Sequence, residues 1–280
     1  MYEFSQVTTD TEGIGKCVDL LREVFPESHN FTEDYIKWEY ADNPAGNIVG
    51  FNAFEDDKLV AHYVTQPAIA NVLGKQMKGL LSLNTATRPS HRGKKLFTTL
   101  ANMTYKYAAE KGFQFVFGVA NANSTPGFLN KLGFQHVGPL EVKLGIGRIR
   151  TDKFKNQFSF ERLWTKELIE WRLKNPIRKY EIVGDRIYAP TGKYGIKAIL
   201  GRFDSRWLNS ILSSKIVSMN PMRLYMVIDS SIIWKKSKYY EVPKRLRSSP
   251  LNLIFKDLTG NNLKLDVSSI KFQTIDFDAY

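Results

Sequence analysis

The sequence is short of cysteine. Its 280 residues include one, Cys17. An internal disulfide and any multi-cysteine metal site are therefore excluded, and no metal is expected. Cys17 is read as a small core residue on the first helix. Apolar runs long enough to span a membrane are missing. The start, Met1-Tyr2-Glu3-Phe4-Ser5, has no basic segment followed by an apolar stretch, so no secretion signal is read. A cytoplasmic protein without membrane insertion is the expectation. Acidic side chains are in deficit: 28 Asp and Glu against 40 Lys and Arg leave a net charge of +12. Such a chain attracts polyanions, whether nucleic acid, acidic lipid or small molecules. The basic residues form no dense block. The aromatic residues follow helix and strand periods and do not interleave with the basic ones. Both facts argue against a nucleic-acid partner.

What is present is ordinary globular material, 43% hydrophobic and 24% charged, enough for one large domain or two small ones. Ile14, Val18, Leu21 and Phe25 share one face of a helix over 11–25. Asp34 to Tyr40 reads as a second helix, with Thr32 as its N-cap. Strands follow at 48–54, 59–65 and 77–87, joined by turns at 56–58 and 71–75. Lys95 to Lys111 reads as a helix stopped by Gly112. Phe113 to Ala120 is a nearly continuous apolar strand, buried on both faces. A short helix over 125–132 ends at Gly133, and a last strand starts at Phe134. This order predicts an α/β fold with a parallel crossover around the central helix.

The second half echoes the first. Thr32 to Trp38 followed by Asn43-Pro44 is matched by Thr165 to Trp171 followed by Asn175-Pro176. Strands at 180–183 and 186–189 come next. Ser249-Pro250 before Phe255 loosely echoes Ser124-Thr125-Pro126 before Phe128. A duplicated domain is inferred, with units at 1–148 and 149–280.

The strongest chemical signal is Asn84-Thr85-Ala86-Thr87-Arg88-Pro89-Ser90-His91-Arg92-Gly93-Lys94-Lys95-Leu96. A strand runs through a proline into a basic, glycine-containing loop and then a helix. Unpaired backbone N–H groups at such a helix start face a phosphate well. Nothing in the second half repeats this loop. The second signal is Gly118 to Phe134. There the apolar strand ends in Asn121-Ala122-Asn123-Ser124, and a short helix containing Phe128 ends in Leu132-Gly133-Phe134. The amides of Asn121 and Asn123 suit an amide-bearing ligand, or make turns and caps with Ser124.

Together these stretches resemble the GNAT acyltransferase superfamily, in element order over roughly residues 1–145. The resemblance implies a GNAT-like mixed central sheet flanked by helices, followed by a second, degenerate GNAT-like domain. It implies acetyl-CoA or another acyl-CoA as co-substrate. The pyrophosphate would be held by Arg92, Gly93, Lys94, Lys95, Leu96, Phe97 and Thr98. The pantetheine arm would pair with Ala86 and Thr87 at a strand splay, beside Asn121, Asn123, Ser124 and Phe128. Lys95 and Phe97 stand where the family has small residues. Leu129 replaces a frequent tyrosine acid, and the usual glutamate on the strand before the loop is absent. A narrower likeness is to tandem-GNAT proteins of bacterial surface-polysaccharide clusters, which implies a nucleotide-linked amino sugar as acceptor. Direct transfer in a ternary complex is expected. His62 is the first choice of base, Asn84 would orient the amine, and Trp38 and Tyr40 would stack on the sugar. Core packing is the other role open to Trp38. The second unit would close over the acceptor side, where Asp276 and Asp278 could reach the amine. Two other readings stay open: a non-catalytic acyl-CoA-binding protein and a basic nucleic-acid-associated protein.

Overall fold

The computed structural model describes residues 1–152, 154–203, 205–211, 220–247 and 249–277. Strand β1 (Glu3–Gln6) is followed by helices α1 (Thr11–Val24) and α2 (Glu33–Tyr40). Strands β2 (Val49–Glu55), β3 (Lys58–Val72) and β4 (Lys75–Thr87) then lead into α3 (Leu96–Glu110). Strands β5 (Phe115–Ala120), β6 (Gln135–Pro139), β7 (Glu141–Ile146) and β8 (Phe160–Leu163) precede α4 (Lys166–Leu173). Next come β9 (Glu181–Val183), β10 (Arg186–Pro190), β11 (Lys197–Arg202) and α5 (Ser205–Asn209). The chain continues through β12 (Arg223–Asp229), β13 (Lys238–Glu241), β14 (Asn252–Asp257) and β15 (Ile270–Gln273). No described helix is long and apolar enough to cross a membrane.

Local chemistry explains the helix starts. The Asp10 carboxylate accepts from Gly13 N at 2.7 Å and caps α1. The Thr32 hydroxyl accepts from Tyr35 N at 3.2 Å and caps α2. In the second half, Thr165 caps α4 by accepting from Leu168 N at 3.3 Å. The short helix read over 125–132 is present, with a π-helical turn, Gly127–Lys131, at its centre.

All the named strands join one mixed sheet. Helices α1 and α2 cover one face, where Ile14, Val18, Leu21, Ile36 and Tyr40 pack with Val64 and Ala86. Helix α3 covers the other, placing Leu100, Tyr105 and Ala108 against Tyr63, Leu80 and Val116. The architecture is the expected α/β one, a large mixed sheet flanked by few helices.

The halves interlock. Strands β4 and β5 are parallel, as are β11 and β12. β14, from late in the chain, lies antiparallel to β5 and beside β6. Reciprocally β7, from the first half, lies antiparallel to β12 and beside β13. At α2 and α4 the two tryptophans stack with centroids 4.7 Å apart. Trp38 Nε1 donates to Trp171 O and Trp171 Nε1 to Trp38 O, both at 3.0 Å. The Ser249–Phe255 echo does not extend to structure: Phe255 is in strand β14, whereas Phe128 is in the π-helical turn.

Candidate active site

The basic loop leaves β4 through a 3-10 turn, Pro89–His91. Two side chains fasten it from below. Arg88 Nε donates to Leu59 O at 2.7 Å, and its guanidinium pairs with Glu23. His91 Nε2 contacts Glu55 Oε2 at 2.9 Å. Lys95 then sits at the helix N-cap with φ 62°, left-handed, and no side chain caps the helix. A glycine would hold that conformation without strain. The hydroxyls of Thr98 and Thr99 turn back onto Lys95 O at 2.8 and 3.1 Å. The first-turn N–H groups of α3 have no acceptor within the helix and carry the positive end of its dipole.

A cleft of about 500 Å³ opens over this helix start, lined by Thr87, His91, Arg92, Gly93, Lys95, Leu96, Phe97, Thr98, Asn102 and Lys131. Lys94 is not among the lining residues; its ammonium lies 5.8 Å from the Tyr2 ring centroid. The bulk of Phe97 is accommodated by Gly127, where an added Cβ would lie 3.2 Å from the Phe97 ring. Phe97 also packs edge-on against Phe128, centroids 5.2 Å apart. Lys131 and Asn102 were missed in the sequence because nothing local distinguishes them from solvated helix residues.

Next to the cleft the sheet splays. The β4–β5 ladder ends at Ser82–Gly118, and beyond it Val119 and Ala120 of β5 pair with β14. Strand β4 continues alone on that side through Ala86 and Thr87. Asn84 has φ 44°, and the β3–β4 register slips between His62–Ala86 and Val64–Leu83. This is a bulge, which re-aims side chains next to an opening. Ala86 is buried against α1 and α2, so its side chain faces away from α3. Asn121 spends its carbonyl on its own turn, accepting from Asn123 N and Ser124 N at 3.0 Å each. Ser124 Oγ also donates to it, at 3.1 Å. Asn123 is exposed beside them.

Below the bulge is a polar chain. Asn84 Nδ2 donates to Glu39 Oε2 at 2.5 Å and to Tyr40 Oη at 3.2 Å. Tyr40 Oη donates to His62 Nε2 at 2.9 Å. His62 Nδ1 donates to Asn52 Oδ1 at 2.6 Å, with Cys17 Sγ 3.9 Å away. The carbonyl on Asn52 fixes the Nδ1–H tautomer. His62 is 1% exposed, and burial pushes it down to about 3. The ring is neutral and closed off from the cleft, with both nitrogens in use. Tyr40 is wholly buried and Trp38 nearly so, stacked on Trp171. Neither offers the open ring face that stacking on a sugar requires.

Glu39 is the residue that sequence reasoning missed. Its carboxylate, 1% exposed, accepts from Asn84 and from Tyr35 Oη at 3.2 Å. The usable signal was the Tyr35–Glu39 spacing of four along a helix whose other inward residues are apolar. On the α3 face, Tyr63 Oη lies 3.0 Å from Ser82 Oγ and 2.6 Å from Tyr105 Oη. Burial pushes Tyr63 up to about 12, so this hydroxyl group stays protonated. Of the two C-terminal carboxylates, Asp276 is 2% exposed, accepting from Trp164 Nε1 at 2.7 Å and Gln273 N at 2.6 Å. Asp278 lies outside the described residues.

The His62 placement predicts an acid sensitivity. The unfolded chain binds a proton near pH 6.5, the folded chain only near 3. Between these values the unfolded state carries more protons, so stability falls as pH falls. His62 should therefore remove about 2 kcal/mol of unfolding free energy between pH 7 and pH 5. Asp276, pushed up to about 6 by burial, acts in the opposite sense. Urea unfolding of the parent and of His62→Gln at both pH values isolates the histidine. The variant should lose its share of the drop, and an unchanged drop would refute the assignment.

A helix start that no side chain caps thus stands beside the end of a parallel strand ladder. Residues 7–137 match the family model described as an acetyltransferase (GNAT) domain. That match lies within the first half of the chain. No curated protein sequence matches the chain. Among solved structures, the chain is similar to a probable N-acyltransferase of unknown function from Enterococcus faecalis. That match has TM-score 0.64 and 8% identity and covers 92% of this chain and 73% of that one. A GCN5-related N-acetyltransferase from Anabaena variabilis matches with TM-score 0.59 and 13% identity, over 92% of this chain and 73% of that one. Saccharomyces cerevisiae N-myristoyltransferase with bound myristoyl-CoA matches over 99% of this chain and 89% of that one, with TM-score 0.59 and 12% identity. At such identities these likenesses concern the fold.

Proposed function

We propose that the protein transfers an acetyl or other small acyl group from acyl-CoA to a primary amine, directly, in a ternary complex. The observation that carries this is the end of the β4–β5 ladder at Ser82–Gly118, next to an α3 start that no side chain caps. The pyrophosphate lies on the first-turn N–H groups, flanked by Arg92 and Lys95. The pantetheine arm runs into the splay along Ala86 and Thr87, in place of the missing strand partner. That carries the thioester to the Asn84 bulge.

There the amine nitrogen attacks the carbonyl carbon, and a C–N bond forms as the C–S bond breaks. Glu39 accepts the proton the amine loses. Asn84, held by Tyr40 and through it by His62, orients Glu39. His62 is thus a positioning residue. The thiolate leaves towards Ser82, whose hydroxyl is oriented by Tyr63 and donates a hydrogen bond to the sulfur. The hydrogen bond stabilises the departing thiolate, which takes its proton from solvent, since no acid stands at position 129.

The finer reading of the acceptor, the amino group of a nucleotide-linked amino sugar, rests on the sequence resemblance alone. The division into units at 1–148 and 149–280 is likewise proposed, supported by the matched caps of α2 and α4. A cytoplasmic location fits a CoA-dependent enzyme.

The test is acetyl-CoA binding by calorimetry, paired with thiol release over a panel of amines. Replacing Arg92 and Lys95 together by alanine should weaken acetyl-CoA binding about tenfold at low salt, and less at high salt, because exposed charges are screened over about 10 Å at 0.1 M. Unchanged affinity at low salt would remove the loop from the binding site.

A further inference from the structure

Among the described strands β13 pairs with β7 alone, so it forms an edge of the sheet. The chain around it, Trp234 to Arg247, holds Lys235, Lys236, Lys238, Lys244, Arg245 and Arg247 against a single acid, Glu241. The reading that the basic residues form no dense block does not hold here. Glu241 is already neutralised, by Lys143 Nζ at 2.5 Å and by Arg247. Arg247 also donates from Nε to Val242 O at 2.8 Å and so fastens the turn after β13. The other five cations are exposed, and none pairs with a described carboxylate.

Large apolar side chains stand among these cations. Tyr240 is 73% exposed, Leu246 70% and Ile146 39%. The register places Ile146 opposite Lys238, and Lys238 and Tyr240, two apart on the strand, share a face. Tyr239 points the other way, into a core with Tyr188, Tyr225 and Val227. Leu246 ends the 3-10 turn Lys244–Leu246.

Lysines on an edge strand keep other strands from pairing with it. That role accounts for Lys238. It does not account for the four cations in the flanking turns, nor for Leu246. Single-stranded nucleic acid is bound on rows of aromatic rings that stack successive bases. Only one exposed ring stands in this patch, and the other two projecting side chains are aliphatic. Aliphatic side chains gain from entering the boundary of a bilayer, where Lys and Arg meet anionic headgroups. No described helix could cross a bilayer, so the contact is with its surface.

We propose that the β13 edge docks the protein on an anionic membrane surface. Tyr240, Leu246 and Ile146 enter the boundary between headgroups and acyl chains, and the five exposed cations face the lipid anions. Ser249 Oγ accepts from Ala122 N at 3.2 Å, which ties this segment to the turn at the end of β5. The docked surface thus adjoins the end of the sheet where β5 parts from β4. The proposal does not depend on the acyl-transfer reading.

The experiment is sedimentation of the full chain with vesicles of phosphatidylcholine alone, and of phosphatidylcholine mixed equally with phosphatidylglycerol. The protein should sediment with the mixed vesicles and not with the neutral ones, and high salt should release most of it. Each basic residue near an anionic surface strengthens binding about fivefold, so Lys244→Gln with Arg245→Gln should weaken it about 25-fold. Leu246→Ser should weaken it about tenfold. All three positions are exposed, and thermal melting by circular dichroism should be unchanged. The control is Lys75→Gln with Lys78→Gln, exposed on the β3–β4 hairpin. It removes the same charge and should leave binding within about twofold of the parent. Failure of the parent to bind mixed vesicles overturns the proposal. So does a control that weakens binding as much as the change at Lys244 and Arg245, because net charge would then suffice. A random-sequence oligonucleotide is run in parallel. Binding to it that Leu246→Ser leaves unaffected, with none to vesicles, would make the patch a nucleic-acid site and overturn the membrane reading.

Discussion

A chain ending at residue 150 should be insoluble or molten, not a free-standing acyltransferase. The cut removes β14, which lies between β5 and β6. Leu253, Ile254 and Phe255 go with it, each at most 1% exposed and each in the cores of the first half. Three such side chains stabilise by about 1.5–3 kcal/mol apiece. Their loss, about 5–9 kcal/mol, matches the whole stability of an ordinary domain at about 5–15 kcal/mol. Strand β5 would also expose its hydrogen-bonding edge, a template for aggregation. The reverse fragment fares no better, because β12 would lose β7. Co-expression of 1–150 with 151–280 should therefore rescue soluble material that neither fragment yields alone. Circular dichroism and size exclusion read the outcome. A folded, monomeric 1–150 fragment would show that the exchanged strands contribute little.

The first half of the fold was legible because its elements are local. Helices α1 to α3 announce themselves by caps and by spacing, and β5 by its unbroken apolar run. Strand β3 was read only to residue 65. It runs to Val72. Its outer edge is covered by β2 as far as Thr65 and by β8 only from Ile69. Pro67 occupies the gap, where its missing N–H costs no ladder bond. Strand β1 was not read because its residues are all exposed and carry no alternating pattern. The strand exchange was out of reach for another reason: no local pattern says which strand a distant strand will join. The candidate site divides in the same way. The helix-start loop is contiguous in sequence and was found. The polar chain joins Cys17, Tyr40, Asn52, His62 and Asn84, which meet only in the fold, and the bulge that brings Asn84 to it depends on a backbone angle. Buried as it is, His62 was read as a base because an isolated histidine in a sequence carries no sign of desolvation.

Glu39→Gln should lower kcat about 100- to 10,000-fold at pH 7, the range for loss of a positioned general base, while acetyl-CoA affinity stays within about twofold of the parent. Glutamine has the shape of glutamate, and its carbonyl can still accept from Asn84 Nδ2, the 2.5 Å contact of the parent. The packing is thus conserved, and the melting temperature should shift by only a few degrees. The pH profile separates a base from a prop. An acceptor amine is mostly protonated at pH 7, and Glu39 is proposed to take that proton before the nitrogen attacks, because an ammonium has no lone pair. Without that carboxylate, only the fraction already neutral in solution reacts. The rate of the variant should then rise about tenfold per pH unit up to the pKa of the amine, while the parent rises less steeply. At high pH the two should converge. A structural role would give a different pattern: a large fall in melting temperature and a deficit that stays constant at every pH. His62→Gln serves as the control. It sits one link further along the chain, through Tyr40 and Asn84, and stays neutral in the fold. Its deficit should be smaller, about tenfold or less, and independent of pH between 6 and 9. If Glu39→Gln retains kcat within threefold, the base is elsewhere. Convergence at high pH would place the proton transfer on Glu39, which meets Asn84 only once α2 folds against the bulge in β4.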